Sequence, residues 1–473
     1  MSKEEQEALD TVWRVFDNAK PATRLLMMDG ILQRACLPHL SYISNSISCL
    51  TRIDFISALP SEVSLRIFNY LDAMSLCHSA TVSRRWRSVA DDDAIWYRMC
   101  TQHIDRKCTT CGWGLPLMHS AVKNNTDAIC GQKRTCPPSD SKDDAYNKHQ
   151  RKRFKRPWKD IYAERLVVER NWRNADCIQK DLVGHTDGVT AMYYDESKSL
   201  LITGGFDFTL RAWNTDDGRC IGVMQGHSRC IRGIQFDDTK IISCSMDRTL
   251  RIWSMKDLSC MRVVHGHNDG VVCLHFTDKL LASGSVDGAI RLTNLAANST
   301  KTLTGHNDWV NRVLILPCKA RLLSCSDDAT IRLWDIHSSE TIRIFNGHHG
   351  PVQCLKFITP HHDDFSDCKI ISGSLDHTVK VWNYESAEVI TTLFGHAEGV
   401  WCVDADSLRV VSGSHDNTLK VWDTESGKCM YTVQGHSSAV NCCIMTDTKL
   451  LSGDQNGIVT IRDFLHGVTF SSS

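Results

Sequence analysis

Apolar residues along the chain keep two different rhythms, which meet near residue 176. Ahead of that point they fall at helical spacings. After the helix-start signal Leu59-Pro60-Ser61, residues Val63, Ile67, Phe68 and Leu71 share one helical face. Leu76, Val82, Trp86, Val89, Ile95 and Trp96 carry the pattern through further short helices. Beyond residue 176, short β-rich runs alternate with turn residues, and the dyad Gly-His recurs at 184–185, 226–227, 266–267, 305–306, 347–348, 395–396 and 435–436. Successive dyads lie about 40 residues apart, with one gap of 48. Self-similarity at this period marks stacked repeats, each too small to bury its own apolar faces.

The sixth unit, "GHAEGVWCVDADSLRVVSGSHDNTLKVWDTESGKCMYTV", predicts strands near 400–404, 408–412, 418–422 and 428–433. Asp416 and Asn417 form the tight turn between the second and third, where both residue types are favoured. The unit resembles a WD repeat, and seven such units imply an all-β, seven-bladed propeller over residues 177–466. His396, Ser412, Asp416 and Trp422 stand at the spacing of that family's buried hydrogen-bonded tetrad. Equivalent sets are His185/Thr203/Asp207/Trp213, His227/Ser243/Asp247/Trp253, His306/Ser324/Asp328/Trp334 and His348/Ser372/Asp376/Trp382. A buried carboxylate is costly unless hydrogen-bonded, and the tetrad supplies the bonds. A catalytic-triad reading fails, because a nucleophile would not recur around a ring at structural positions. The third unit keeps His267, Ser283 and Asp287 but has Thr293 where Trp belongs; the last has Asn456 for Asp and Arg462 for Trp. That last unit runs out after its third strand (458–463), while "CIQKDLVGH" (177–185) resembles a fourth. The N-terminal strand is therefore predicted to complete the last blade, closing the ring and hiding its edges.

Composition adds bounds. A chain of 473 residues exceeds one ordinary core, so two or more domains are expected. A net charge of −1 offers no steering field, so neither nucleic acid nor a membrane is an expected partner. "MSKEEQEALD" lacks an apolar signal region, and no apolar run approaches the roughly 18 residues of a spanning helix. A nuclear and cytoplasmic location is expected. The 22 cysteines then read as reduced thiols, with Cys244, Cys273, Cys325 and Cys402 acting as small hydrophobes in strands.

A segment as short as 54–100 cannot bury all its apolar surface alone, so part of that surface is expected to meet a partner. "LPSEVSLRIFNYLD" with the later "VSRRW" and "IW" resembles an F-box, the module that docks on the Skp-type linker subunit of SCF ubiquitin ligases. An all-α F-box region (53–100) ahead of a propeller resembles the F-box/WD family of substrate receptors. "CTTCGWGLPL" (108–117), "RPWKDIYAERLVVERNWR" (156–173), the lengthened fifth unit and "FGHAEGVWCVDADSLRVVSGSHD" (394–416) resemble its fungal sulphur-controller branch. The resemblance implies a subunit of a cullin-RING ligase without catalytic residues, metal or cofactor, presenting a bZIP activator of sulphur assimilation for ubiquitination. It implies linker docking through Leu59, Pro60, Val63, Ile67, Phe68, Leu71, Leu76, Val82 and Trp86. A non-catalytic propeller scaffold for another assembly is the alternative. In residues 1–52, Leu25, Leu26, Ile31, Leu32, Leu37, Ile43 and Ile47 form a stripe that either packs within the chain or, as in related receptors, joins two copies.

In such a propeller the Gly-His loops and the turns at the tetrad aspartates share the narrower face. Phe206, Phe208, Arg229, Arg232, Met246, Arg248, Trp309, Asn311, Gln353, His377, Trp401, His415 and Asn441 occupy the exposed positions there. Arg229, Arg232, Arg248, Trp309, Asn311, His377, Trp401 and Asn441 are the candidate substrate contacts. Arginine suits phosphate or carboxylate through its planar, paired donors, and tryptophan supplies an apolar anchor. The three arginines come from one unit, whereas phosphate-reading relatives spread theirs over several blades; solvated surface charge is the competing reading. Between the domains (101–176), Cys108 and Cys111 form a pair with Cys130, Cys136, His103 and His119 nearby, but zinc needs two pairs at set spacing. Packing of the "CGWGLPL" turn, metal binding and redox sensing stay open. "RKRFKRPWK" (151–159) reads as a nuclear localisation signal or a solvated face, 120–150 as a polar loop, and 157–173 as a spacer helix. His361, His362, Asp363 and Asp364 in the fifth unit's extra loop read as solvated.

Overall fold

The computed structural model describes residues 2–51, 54–103, 157–295, 297, 299–316, 320–359 and 368–467. They fall into two units, Met1–Ile95 and Trp96–Ser473.

The first unit is helical: α1 (Lys3–Asn18), α2 (Pro21–Arg34), α3 (Leu37–Thr51), α4 (Phe55–Ala58), α5 (Ser61–Phe68), α6 (Ala73–Ser79), α7 (Arg84–Ala90) and the start of α8 (Asp93–His103). Ser2 and Glu5 cap α1 reciprocally, each side chain accepting from the other's backbone N–H. Neither α1 nor α2 buries a residue. The shorter helices do form a core, with Ile56, Phe68, Leu76 and Ala90 all nearly inaccessible. Ser83 caps α7 by accepting from the Trp86 N–H. The Trp86 ring meets Phe68 edge-on at 5.6 Å, and its Nε1 donates to Asp54 Oδ1 at 2.7 Å.

In the second unit, Trp96 and Tyr97 of α8 pack on Tyr162 (5.4 Å) and Trp158 (4.9 Å) of α9 (Trp158–Asn174). The far end of α9 is sealed onto the propeller. Trp172 stacks on Phe464 at 3.8 Å and donates through Nε1 to the Asp447 carbonyl. Arg409 lies over the same indole and makes a buried 2.5 Å ion pair with Glu169. Ala175 then adopts a left-handed conformation (φ 56°), which stops the helix just before the first strand.

The propeller has seven antiparallel sheets of four strands. Six use consecutive strands. The seventh combines 440–445, 449–454 and 458–463 with Ile178–Val183, and Ile178 lies opposite Asp463. The predicted closure by the N-terminal strand is present. Every innermost strand has a register shift between its first and third residues, as at Val189/Ala191 and Val310/Arg312. Such bulges bend the strand and re-aim the side chain at the bulge.

Five tetrads form as the spacing predicts. The His Nδ1 lies 2.7–2.8 Å from the aspartate, Nε2 lies 2.7–2.8 Å from the Ser or Thr hydroxyl, and the indole donates to that hydroxyl at 2.8 Å. One proton placement satisfies every group: indole to hydroxyl, hydroxyl to Nε2, and Nδ1–H to carboxylate. A threonine two residues on adds its own hydroxyl to the aspartate at 2.6–2.9 Å. Burial opposes ionisation, but these bonds outweigh it. They hold Asp207 and Asp416 at about 2 and keep Asp247, Asp328 and Asp376 well below the usual carboxylate range.

The third blade departs further than its missing tryptophan implies. His267 still bonds Ser283 at 2.8 Å, but its buried Nδ1 has no hydrogen-bond partner, and Asp287 is exposed. Ala289 takes the threonine's place, so Asp287 has lost the hydroxyl that steers its counterparts. Burial, with Arg291 nearby, lowers His267 to about 4. The seventh blade departs less than expected. Asp454, two residues ahead of Asn456 and 1% exposed, supplies the carboxylate to His436 at 3.3 Å. Arg462 Nη1 donates to Ser452 Oγ at 3.1 Å where an indole would. The expectation that Asn456 replaces the aspartate is corrected: the carboxylate has moved along the strand.

Asp247→Asn should cost about 2 kcal/mol of propeller stability, because a charged, buried acceptor loses its bonds. Asp287→Asn should stay within about 0.5 kcal/mol, as for an exposed site. Denaturant midpoints compare the two. Thr293→Trp should raise the midpoint by about 1 kcal/mol through added apolar burial; a fall would mean that the space is already filled.

Candidate binding surfaces

The nine residues expected to dock a partner separate into two groups. Pro60 is exposed and leads directly into α5, where Val63 and Ile67, one turn apart, are 41% and 38% exposed. Val82 is exposed, while Leu59, Leu71 and Trp86 are half-buried. Phe68 and Leu76 are fully interior, so the pattern that assigned them to docking marks a core instead. Tyr70 and Met74, 90% and 67% exposed, join the apolar surface of this unit and were not foreseen. Their spacing from Ile67 is helical, but it runs across the break between α5 and α6, where helical periodicity carries no warrant.

On the propeller, the residue after each turn aspartate has a left-handed backbone: Phe208 (φ 64°), Arg248 (70°), Ala329 (62°), His377 (68°) and Asn417 (65°). This conformation disfavours side chains by roughly 1–2 kcal/mol. The aspartate holds it by accepting, through Oδ1, from the backbone N–H two residues on, at 2.9–3.0 Å. Phe208, Arg248 and His377 are exposed there. Arg229 is exposed on its Gly-His loop, whose carbonyl Ser245 anchors at 2.9 Å. Trp309 is 37% exposed; Trp401 is half-buried, with the His415 ring at 6.3 Å and His415 in turn 2.9 Å from Glu398. Phe206 is exposed and Met246 half-buried.

Arg232, Asn311, Gln353, Trp401 and Asn441 converge on one central channel of about 510 Å³. Three of them are already committed. Asn311, 8% exposed, donates to Asp327 Oδ1 (2.6 Å) and to the Val352 carbonyl of the next blade (3.0 Å). Asn441 donates to the Val189 carbonyl at 3.1 Å. Both tie neighbouring blades, and Asn311 leaves the set of free contacts. Gln353 also donates to Asp327, whose carboxyl burial holds above its usual range.

Deeper in the strands, side chains bridge to the next blade's backbone. Gln235 exchanges bonds with Phe276 N–H and C=O, His275 Nδ1 accepts from Ile315 N–H, and Asp404 Oδ2 accepts from Met445 N–H. Asp404 also pairs with Lys356 at 2.5 Å, which raises the lysine's pKa. His275 is pushed down to about 4 by burial, then by Arg312 and Lys356. None of these groups was singled out from the sequence. The only signal was at Arg312, because the equivalent places hold Ala191, Gly233, Cys273, Cys354, Cys402 and Cys442, all small.

Cys108, Cys111, His119, Cys130, Cys136, His361, His362, Asp363, Asp364 and residues 151–156 of the basic run lie outside the described residues. Among the described residues, no group of three or more His, Cys, Asp or Glu could hold a metal ion. Among them too, no helix is long and apolar enough to cross a membrane. The four strand thiols named from the sequence are buried; burial raises Cys273 to about 12 and Cys244, Cys325 and Cys402 well above the usual thiol range.

Compared with known proteins, residues 56–102 match the F-box-like profile. Residues 176–214, 218–254, 258–294, 297–335, 339–383, 387–423 and 427–463 each match the WD domain, G-beta repeat. A Talaromyces stipitatus protein described as "Probable E3 ubiquitin ligase complex SCF subunit sconB" is 44% identical over 387 residues, 75% of this chain and 58% of that protein. An F-box protein of Saccharomyces cerevisiae is 46% identical over 350 residues, 74% of this chain and 52% of its own length. The chain thus spans between half and two thirds of these curated relatives. The crystal structure of the WD40 β-propeller domain of Doa1 superposes with a TM-score of 0.53 at 23% identity, over 60% of this chain and 95% of that one; this likeness concerns the fold alone.

Asp404→Ala should lower the denaturant midpoint by about 2 kcal/mol, since it strands Lys356 and frees the Met445 N–H. Lys356→Met in the same background should recover part of that loss, because the uncompensated charge is gone.

Proposed function

The chain belongs to the WD-repeat family and carries an F-box-like segment ahead of its propeller, and on that premise we propose that it is the substrate-recognition subunit of an SCF-type ubiquitin ligase. One observation carries the reading: the helical unit leaves Val63, Ile67, Tyr70, Met74 and Val82 exposed, apolar side chains of the kind a partner covers, in a chain that also bears a closed propeller. The names of the relatives, as subunits of SCF ubiquitin ligase complexes, support it. The F-box would dock on the Skp-type linker and through it on the cullin-RING core. The propeller would hold the substrate, and the chemistry of ubiquitin transfer would lie elsewhere in the assembly.

The substrate surface we propose is the mouth of the channel, with Arg229, Arg232 and Arg248 receiving an acidic or phosphorylated segment and Trp309 and Trp401 anchoring apolar side chains. The resemblance to the sulphur-controller branch supports a bZIP activator of sulphur metabolism as the substrate. The basic run 151–159 supports nuclear import alongside a cytoplasmic pool. Pairing of two copies through α1–α3 is supported by a cleft of about 890 Å³ lined by Val12, Val15, Phe16, Leu26 and Ile31.

Val63→Asp with Ile67→Asp should abolish co-purification of the linker subunit while leaving the propeller's melting unchanged; retained co-purification would sink the docking reading. Light scattering after removal of residues 1–52 should read the mass of a single shortened chain where the parent reads two chains, and the same number of copies with and without the segment excludes pairing through it. Arg232→Ala should weaken substrate pull-down by about 1–3 kcal/mol if its charge-assisted bonds are made; equal retention would count against the site.

A further inference from the structure

The central channel carries more positive charge than its own carboxylates answer. Arg232, Arg312 and Lys356 all line it. Asp404 is spent on Lys356 and on the backbone N–H groups of Ala405 and Met445. Asp327, beside the channel, already accepts from the amides of Asn311 and Gln353. Among the described residues, neither Arg232 nor Arg312 makes an ion pair, and the Arg312 side chain is exposed within the channel.

Arg312 has no packing role that the fold demands. It stands at the third residue of an innermost strand, where the other six blades place Ala, Gly or Cys. One blade of seven therefore inserts a guanidinium into a confined space beside two further cations. Like charges held together repel, and a narrow channel with low-dielectric walls focuses their field, so the arrangement favours an anion among them.

The neighbouring polar groups are donors as well. His275 Nδ1 accepts from the Ile315 N–H at 3.3 Å, which leaves its proton on Nε2. At a pKa of about 4 the ring is neutral near pH 7. Burial holds the Tyr193 phenol above its usual pKa, so it keeps its proton. Free guanidinium and imidazole N–H together, beside a phenol already hydrogen-bonded to Gln235 and with no uncommitted carboxylate, suit an oxyanion with several acceptor oxygens.

We propose that the channel binds a small free oxyanion of the phosphate or sulfate class, with the Arg312 guanidinium as its principal ligand and Arg232 as the second. The site needs neither the linker subunit nor a protein substrate; it shares Arg232 with the substrate surface proposed above, but Arg312 belongs to it alone, so Arg312→Ala tests it apart from that reading. Calorimetric titration of the full chain with sodium phosphate, and then sodium sulfate, at fixed ionic strength in chloride, tests it. One saturable equivalent is expected. Arg312→Ala installs the residue that the first blade has at Ala191, so it should fold, and it should weaken binding by about tenfold or more; Arg312→Lys should retain part of the affinity. Without the variants, phosphate should raise the melting temperature of the parent chain in a dose-dependent way that matched chloride does not. Absence of a saturable equivalent, a chloride effect equal to that of phosphate, or unchanged affinity in Arg312→Ala would each overturn the proposal.

Discussion

Closure of the ring is the constraint on which the second unit depends. Ile178–Val183 pairs along its whole length with Ile458–Asp463, so the first strand of the repeats belongs to the last blade. The chain on either side of this seam is clamped. Asn171 of α9 donates to the carbonyls of Phe464 and His466, and Trp172 stacks on Phe464. Without the seam, two strand edges would be open, and the last blade would lack its outer strand. With it, every innermost strand faces a common axis, and only then does a channel exist.

The polar residues of the propeller serve this geometry before they serve any ligand. Tetrads fasten each blade to itself. A second set fastens blade to blade: Asn311 to Val352, Asn441 to Val189, Gln235 to Phe276, His275 to Ile315 and Asp404 to Met445. Each side chain of this second set finds a backbone partner on the next blade, which is how these polar groups avoid the penalty of unmet hydrogen bonds. What remains uncommitted is then informative. Arg229, Arg248 and His377 point to the surface, while Arg232 and Arg312 belong to the channel. The helical unit sorts its apolar residues in the same way, spending Phe68 and Leu76 on its core and leaving Val63, Ile67, Tyr70 and Met74 outside.

The weak blades show two routes to the same end. In the seventh, Asp454 reaches His436 from the end of its strand, two residues ahead of the usual place in the turn, because Ser452 and Asp454, two apart along that strand, share a face. In the third, no substitute arises: with Ala289 and Thr293 in place of threonine and tryptophan, Asp287 turns to solvent and His267 keeps one bond. Its neighbours on both sides hold that blade in the ring.

The amino-acid sequence by itself determined the two-part organisation, the number of blades, five complete tetrads and the strand exchange that closes the ring. These follow from local patterns, namely a repeat period, fixed spacings of His, Ser, Asp and Trp, and the arithmetic of strands. That the Gly-His loops and the aspartate turns share one face came from the resemblance to WD propellers. Only the tertiary structure decided which polar residues are free. Asn311 and Arg312 are adjacent polar residues of one innermost strand. Yet a bulge and a carbonyl on the next blade, 41 residues away, tie one into the wall and leave the other in the channel. Likewise the structure decided that Asp454 reaches His436 while Asp287 turns to solvent, because each depends on how the turn of its own blade places the carboxylate against the histidine.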